Sequence, residues 1–314
     1  MIGIDIGGTT IKIGFINHDG KILYKWEIPT NIGNQGDSIV DDIWASITDR
    51  LSKQKNESEI IGIGVGAPGF VNQQTGIVYE AVNIGWKNFN LRDELQRLSN
   101  LPVFIGNDAN LAALAENWKG SGNQSKDVML ITLGTGVGSG IIANGDILNG
   151  TNGTAAEIGH IIADPNGYPC NCGRVGCLDT IASATGIVRQ AMDKIAEHPN
   201  SALASHYQKH GKLEAKDVFN FAQDGDIASE SVINRTTDIL GFMIGSAATI
   251  INPSQIIIGG GVSKAGEPLL EKIKKSLRKY TLPRINDCCE VKLAQLGNDA
   301  GIIGAAYLVK SNLN

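Results

Sequence analysis

The sequence predicts an α/β fold built from two similar domains, and three observations carry that expectation. Short β-branched runs alternate with stretches of helical spacing. A strand, a Gly/Thr turn and a second strand open the chain, and the same order returns about 130 residues later, as an internal duplication would leave it. Glycine is in excess, with 39 among 314 residues, where ordinary usage is about 7%. Glycine is needed where backbone takes φ > 0 or approaches something closely.

The elements follow in order. Met1-Ile2-Gly3-Ile4-Asp5-Ile6 reads as a strand ended by Gly7-Gly8-Thr9-Thr10, and residues 11–16 and 21–28 continue it as a meander through the turn Asn17-His18-Asp19-Gly20. Ile39, Ile43, Ile47 and Leu51 fall at helical spacing, with Asp37 or Ser38 able to cap. Residues 60–65 and 103–105 are further strands, and Leu111, Leu114, Ala115 and Trp118 mark a helix after the second of them. The pattern restarts at residues 128–133 and breaks at Gly134-Thr135-Gly136-Val137-Gly138-Ser139-Gly140. Helices are expected at 187–197, 231–251 and 300–309, with a buried strand at 255–258 running into Gly259-Gly260-Gly261.

At 42% hydrophobic and 19% charged, the composition is that of a folded globular chain, neither fibrous nor disordered. A net charge of −5 argues against a nucleic-acid surface. The longest strongly apolar stretch, residues 240–251, is too short to span a bilayer. The opening residues carry no basic leader, so the expected location is cytoplasmic, with neither membrane nor nucleic acid as a partner.

Three strand ends carry glycine turns, which can aim successive N–H groups at an anion while threonine hydroxyls add donors. None ends in the Gly-Lys-Ser/Thr of a Walker A loop. The dinucleotide fingerprint fits poorly too, because the chain after Gly134 continues as a strand. A nucleotide held between two domains is the better reading. Cys170, Cys172 and Cys177 crowd together around Gly173 and Gly176, and His160 is the nearest histidine. Three cysteines with one histidine form a permitted structural zinc set. Cys288 and Cys289 are read as buried free thiols. Asp108 stands at a strand-to-helix junction, where either a plain N-cap or a general base would suit it. Glu157 and His160, three apart, would share a helix face as a surface pair.

Asp5-Ile6-Gly7-Gly8-Thr9-Thr10-Ile11-Lys12, together with residues 133–140, resembles the phosphate-contacting hairpins of the actin-like ATPase superfamily of sugar kinases. Within it the chain is similar to the ROK group (repressors, open reading frames, kinases), and most like its bacterial glucokinases. The resemblance implies a two-domain actin-like ATPase (ribonuclease H-like) fold with the active site in the interdomain cleft. It places a small domain at 1–107 plus 299–314, and a large domain with the zinc loop at 108–298. It implies ATP held by Gly7, Gly8, Thr9, Thr10, Lys12, Thr135, Gly136 and Gly138, with Gly259, Gly260 and Gly261 beside the adenosine. Asp5 would face Mg2+, a hard cation suited to one carboxylate plus waters.

The Cys-x-Cys-Gly-x-x-Gly-Cys loop plus a histidine matches the group's zinc site, giving His160, Cys170, Cys172 and Cys177 as ligands. For the acceptor sugar the resemblance implies Gly66, Asn107, Asp108, Glu157 and His160, with Asp108 as catalytic base. Asn83 lies in a region typical of the glucokinases. Asp179 is also implied to hold the sugar, although the group usually carries Glu there and this side chain is one methylene shorter. The implied activity is phosphorylation of a hexose, glucose first, at its 6-hydroxyl. Kinases for N-acetylmannosamine, N-acetylglucosamine or fructose share these motifs. A rival of another class is a non-catalytic sugar-sensing protein; the group's repressors carry a helix-turn-helix ahead of the first strand, which here starts at Ile2. Homodimers are common in the group, so a homodimer is expected.

Overall fold

The β-branched run at the N-terminus forms strand β1 (Ile2–Ile6), which pairs antiparallel with β2 (Thr10–Ile16), itself antiparallel to β3 (Ile22–Pro29). In the computed structural model, which describes residues 1–53 and 59–313, these strands begin the first of two units. Helix α1 (Ile39–Lys53) follows, then β4 (Ile63–Ala67), and β5 (Phe70–Asn72), β6 (Ile77–Ala81) and β7 (Trp86–Phe89) make a small sheet of their own. Helix α2 (Leu91–Ser99), β8 (Val103–Asn107) and α3 (Asp108–Lys119) complete the run. The main sheet has the order β3-β2-β1-β4-β8, with β4 parallel to both β1 and β8. Ile2, Ile4, Ile6, Ile11, Ile13 and Val65 join Ile39, Ile43 and Ile47 of α1 and Leu91 and Leu95 of α2 in one core.

The second unit repeats the plan. Strands β9 (Val128–Leu133), β10 (Val137–Ala143) and β11 (Asp146–Ile147) precede helices α4 (Asp179–Ala182), α5 (Ala184–Glu197), α6 (Ala202–His210), α7 (Ala215–Gln223) and α8 (Ile227–Ile251). Strand β12 (Gln255–Gly259), α9 (Glu267–Tyr280), α10 (Pro283–Cys288) and β13 (Glu290–Leu293) follow. The sheet order is β11-β10-β9-β12-β13, with β9 antiparallel to β10 and parallel to β12. This is the first sheet's arrangement again, as the repeated strand–turn–strand pattern predicts. The apolar stretch at 240–251 is the last part of α8, which buries Leu240, Met243, Ile244, Ala247 and Ala248 but leaves Phe242 and Ile250 exposed, and Gly241 lets Ser276 of α9 come close. Among the described residues no helix is long and apolar enough to cross a membrane.

The last helix, α11 (Ala300–Leu313), returns to the first unit. Its seat is made of glycine. A Cβ on Gly3 would lie 2.1 Å from the Ile302 carbonyl oxygen, one on Gly64 1.8 Å from that of Ala305, and one on Gly304 1.9 Å from that of Leu111. Because strand side chains alternate in direction, Gly3 of β1 and Gly64 of β4 clear one face while their isoleucine and valine neighbours fill the other. The buried Glu116 carboxylate accepts the Leu296 N–H at 2.7 Å and the Ser121 N–H at 3.0 Å, which ties the returning chain to the end of α3.

The first unit spans Met1–Gln124, Ile147–Ala156 and Leu296–Asn314, and the second Ser125–Asp146 and Glu157–Gln295. The limits at Asn107 and Asp299 that the resemblance implies differ from these, and α3 stays with the first unit, where it packs on α11. The segment Ile147–Ala156 joins that unit through Asn149, which donates to Gln73 Oε1 at 2.6 Å. A Gly64→Ala protein is expected to lose about 3 kcal/mol or more of stability, since both sides of the clash are backbone and no rotamer relieves it. Thermal and urea unfolding check this; an unchanged midpoint would refute the close seat.

Candidate functional site

The first glycine turn joins β1 to β2. Gly7 N–H donates to the Thr10 carbonyl at 3.1 Å, while Thr30 Oγ1 donates to the Gly7 carbonyl at 2.7 Å. Gly8 and Thr9 are exposed at the tip. Asp5 and Lys12 face each other in register, with Nζ 3.9 Å from Oδ2. Burial pushes the Asp5 carboxyl above its usual range, and the Lys12 ammonium works against that. Gly301 makes room for this carboxylate, since a Cβ there would stand 2.4 Å from Asp5 Cγ. A single recessed carboxylate with a lysine beyond hydrogen-bond reach fits a hard cation that keeps most of its waters. Gly66, next to last in β4, pairs with Asp5, and Asn83, in the turn Val82–Ile84, sits beside Gly8, 3.5 Å from where a Cβ would be.

In the second unit the turn after β9 is closed by Gly134 N–H donating to the Gly136 carbonyl at 2.9 Å. Three bonds from residues 179–185 hold it. Val137 N–H donates to Asp179 Oδ1 at 2.6 Å, Ala184 N–H to the Gly134 carbonyl at 2.8 Å, and Thr185 Oγ1 to the Thr135 carbonyl at 2.7 Å. Gly134 and Thr135 border a cavity of about 750 Å³, with Val188, Phe219 and Val262 as apolar walls and Asn220 and Lys264 as polar ones. Gly261 lines it too. Gly259 and Gly260 do not: Gly260, at φ +84°, presses against the Leu133 backbone, and Gly259 faces Ala294. Gly138 lies within β10, paired with Thr132, rather than in the turn. The α5 and α7 residues of this wall carry no sequence signal beyond ordinary helical apolar spacing.

His160, Cys170, Cys172 and Cys177 converge, their ligand atoms all within 4.8 Å of one another. Cys172 and Cys177 Sγ are 3.6 Å apart, and Cys170 Sγ is 3.7 Å from His160 Nδ1. Tetrahedral ligands about 2.3 Å from a zinc ion stand about 3.7 Å apart, so the residues fit that metal. The loop is shaped by Gly173 and Gly176 at φ +86° and +78°, and a Cβ on Gly176 would lie 1.6 Å from the Asp164 carbonyl oxygen. Arg235 braces it, donating to Asp164 Oδ2 at 2.7 Å and Gln190 Oε1 at 2.6 Å. Burial raises Cys177, helped by the other two thiols, to about 12. Burial also pushes Cys172 up, but hydrogen bonds from Arg174 outweigh it and bring that thiol down to about 6. Cys288 is exposed and Cys289 half-buried, not buried as expected, because they fall where the short α10 gives way to β13.

The candidate sugar residues divide between the units. Asn107, not Asp108, caps α3: its Oδ1 accepts the Ala109 and Asn110 N–H groups at 2.9 and 3.2 Å, and its Nδ2 donates to the Gly69 carbonyl at 3.1 Å. Asp108 is the exposed first residue of the helix, with Oδ1 accepting the Ala109 N–H at 2.8 Å. Glu157 and His160 bracket a single 3-10 turn rather than an α-helical face. That turn lies so close to β10 that a Cβ on Gly159 would stand 2.1 Å from the Val137 carbonyl oxygen. Burial raises the Glu157 carboxyl, opposed by His160. With Nδ1 toward the thiols, a metal-bound His160 keeps its proton on Nε2, as a fixed donor.

The ROK family model matches residues 1–312. A glucokinase from Halalkalibacterium halodurans is 53% identical over all of this chain and 96% of its own length. Among solved structures, a ROK family glucokinase from Streptomyces griseus, in complex with glucose and AMPPNP, is 35% identical with a TM-score of 0.82, covering 99% of each chain. A ROK family transcriptional regulator, homologous to the E. coli MLC protein, superposes with a TM-score of 0.89 at 29% identity over 99% of this chain and 77% of its own. Shared architecture therefore does not separate kinase from regulator; the residues at the two turns must. Matched along its length and carrying the same α/β plan twice, the chain belongs to the ROK family.

Proposed function

We propose that this protein is an ATP-dependent hexokinase that phosphorylates glucose at its 6-hydroxyl. The full-length likeness at 53% identity to a glucokinase carries the reading. The cavity bordered by Thr135 and Gly261 supports it with a volume suited to a nucleoside and a wall of Val188, Phe219 and Val262 for an apolar base. The exposed turn at Gly8 and Thr9 and the turn at Thr135 and Gly136 supply backbone and hydroxyl donors for phosphates. Asp5 would hold Mg2+, which, when bound, neutralises charge on the β- and γ-phosphates. His160, Cys170, Cys172 and Cys177 would hold zinc, with no step in the reaction.

The reading assigns to the hexose Gly66, Asn83, Asn107 and Asp108 of the first unit and Glu157 and His160 of the second. Asp108 takes the proton of the hydroxyl whose oxygen forms the new bond to the γ-phosphorus as the bond to ADP breaks. His160, fixed through Nδ1, offers its Nε2 proton to a sugar oxygen. Catalysis then rests on positioning and charge stabilisation more than on covalent chemistry. A homodimer is the proposed assembly, which light scattering on the purified protein would check. A coupled assay of ADP release across glucose, fructose, N-acetylglucosamine and N-acetylmannosamine tests the activity. Glucose should give the highest kcat/KM, and no stimulation by any of the four would overturn the kinase reading.

A further inference from the structure

Family likeness gives Asp179 a sugar hydroxyl to hold, but the geometry sets it another task. Its Oδ1 accepts the Val137 N–H at 2.6 Å, and a Cβ on Gly136 would intrude to 2.7 Å from the same oxygen. The carboxylate therefore fills the space beneath the turn that Gly136 leaves open. With Val137 N–H given to Asp179 and Gly134 N–H given to the Gly136 carbonyl, the Thr135 and Gly136 N–H groups have no acceptor among the described residues and can be offered to an anion. Ala184 and Thr185 hold the same turn through neutral bonds. Asp179 adds a carboxylate acceptor, the stronger kind.

The other end of this contact is the cysteine loop. Asp179 is two residues past Cys177, and no slack lies between them. Thr180 donates to the Cys177 carbonyl from both N–H and Oγ1, at 2.9 and 2.8 Å, and Leu178 N–H donates to the Ile161 carbonyl at 2.9 Å. The backbone that carries the last thiol ligand thus also carries the carboxylate under the phosphate turn.

We infer that Asp179 is a positioning residue for nucleotide binding, through which the cysteine loop sets the conformation of the turn at Thr135 and Gly136. The inference rests on the kinase reading. Its test compares Asp179→Ala, Asp179→Asn and Asp179→Glu for calorimetric AMPPNP affinity without sugar, for KM of ATP and of glucose, and for zinc content. Asp179→Ala should weaken AMPPNP by about tenfold, the worth of one hydrogen bond to a charged group. Asn and Glu, which both keep an acceptor oxygen, should stay within about threefold of the parent. KM for ATP should rise with the loss, KM for glucose should hardly move, and zinc should remain one per chain. A raised glucose KM with unchanged AMPPNP affinity would return Asp179 to the sugar, and Asn behaving like Ala would remove the acceptor role. An unmodified protein that binds no AMPPNP would instead overturn the kinase reading itself.

Discussion

Asp108→Ala is expected to lower kcat by about 10²- to 10⁴-fold, the range a general base supplies, while glucose still binds within a few-fold of its normal affinity. The structure makes this variant informative. A residue at the start of a helix is often a cap, and losing a cap costs about 0.5–2 kcal/mol. Here the cap is Asn107, whose Oδ1 accepts two backbone N–H groups. Removing the Asp108 carboxylate leaves that cap in place, so a fall in turnover reads proton transfer and not a frayed helix. Asn107→Ala is the contrasting variant, expected to lower stability as well as activity because it loses both the cap and the bond to Gly69. Steady-state kinetics with calorimetric glucose binding and thermal unfolding separate the two. Turnover within tenfold of the parent in Asp108→Ala would remove it as the base.

The second large effect concerns the metal. Purified protein should contain one zinc per chain, and Cys177→Ser should lose both the metal and most of the folded protein. Structural zinc is worth about 10–16 kcal/mol in isolated zinc-binding peptides, as large as the whole stability of about 5–15 kcal/mol of an ordinary domain. Cys177 is fully buried where the loop meets α4, so its replacement disturbs packing as well. Cys172→Ser distinguishes metal from packing, because Cys172 is exposed. That variant should fold, bind zinc weakly and melt lower than the parent, by an amount that added zinc partly restores. Zinc well below one per chain in a fully active protein, measured by mass spectrometry, would end the metal assignment.

Much of the candidate site is legible in the sequence because the chemistry it needs leaves local marks. Glycine turns after strands, a Cys-x-Cys loop with two further glycines, and an Asn-Asp pair at a strand end are all patterns of adjacent residues. What stayed hidden depends on partners far along the chain. Asp179 stands out in the sequence only as a shorter replacement for Glu, and its bond to the Val137 N–H of β10, 42 residues earlier, is not visible there. Gly301 reads as one more small residue in a helix until the Asp5 carboxylate occupies the space it leaves. Gly259 and Gly260 are two of three successive glycines in the sequence, but only the fold shows that their lack of side chains also makes room for Ala294 and the Leu133 backbone.

The sequence by itself determined the α/β class, the repeated strand–turn–strand order, the core stripe of α1 and the four residues that gather as a metal set. Each depends on the period of side chains along a strand or helix, or on ligands close in the chain, so neighbours suffice to specify it. Only the tertiary structure decided which of Asn107 and Asp108 caps α3, where α11 is seated, and what Asp179 holds. Those outcomes depend on which backbone donors and which clearances distant segments bring together, and hydrogen-bond reach and van der Waals contact act through space without regard to sequence separation.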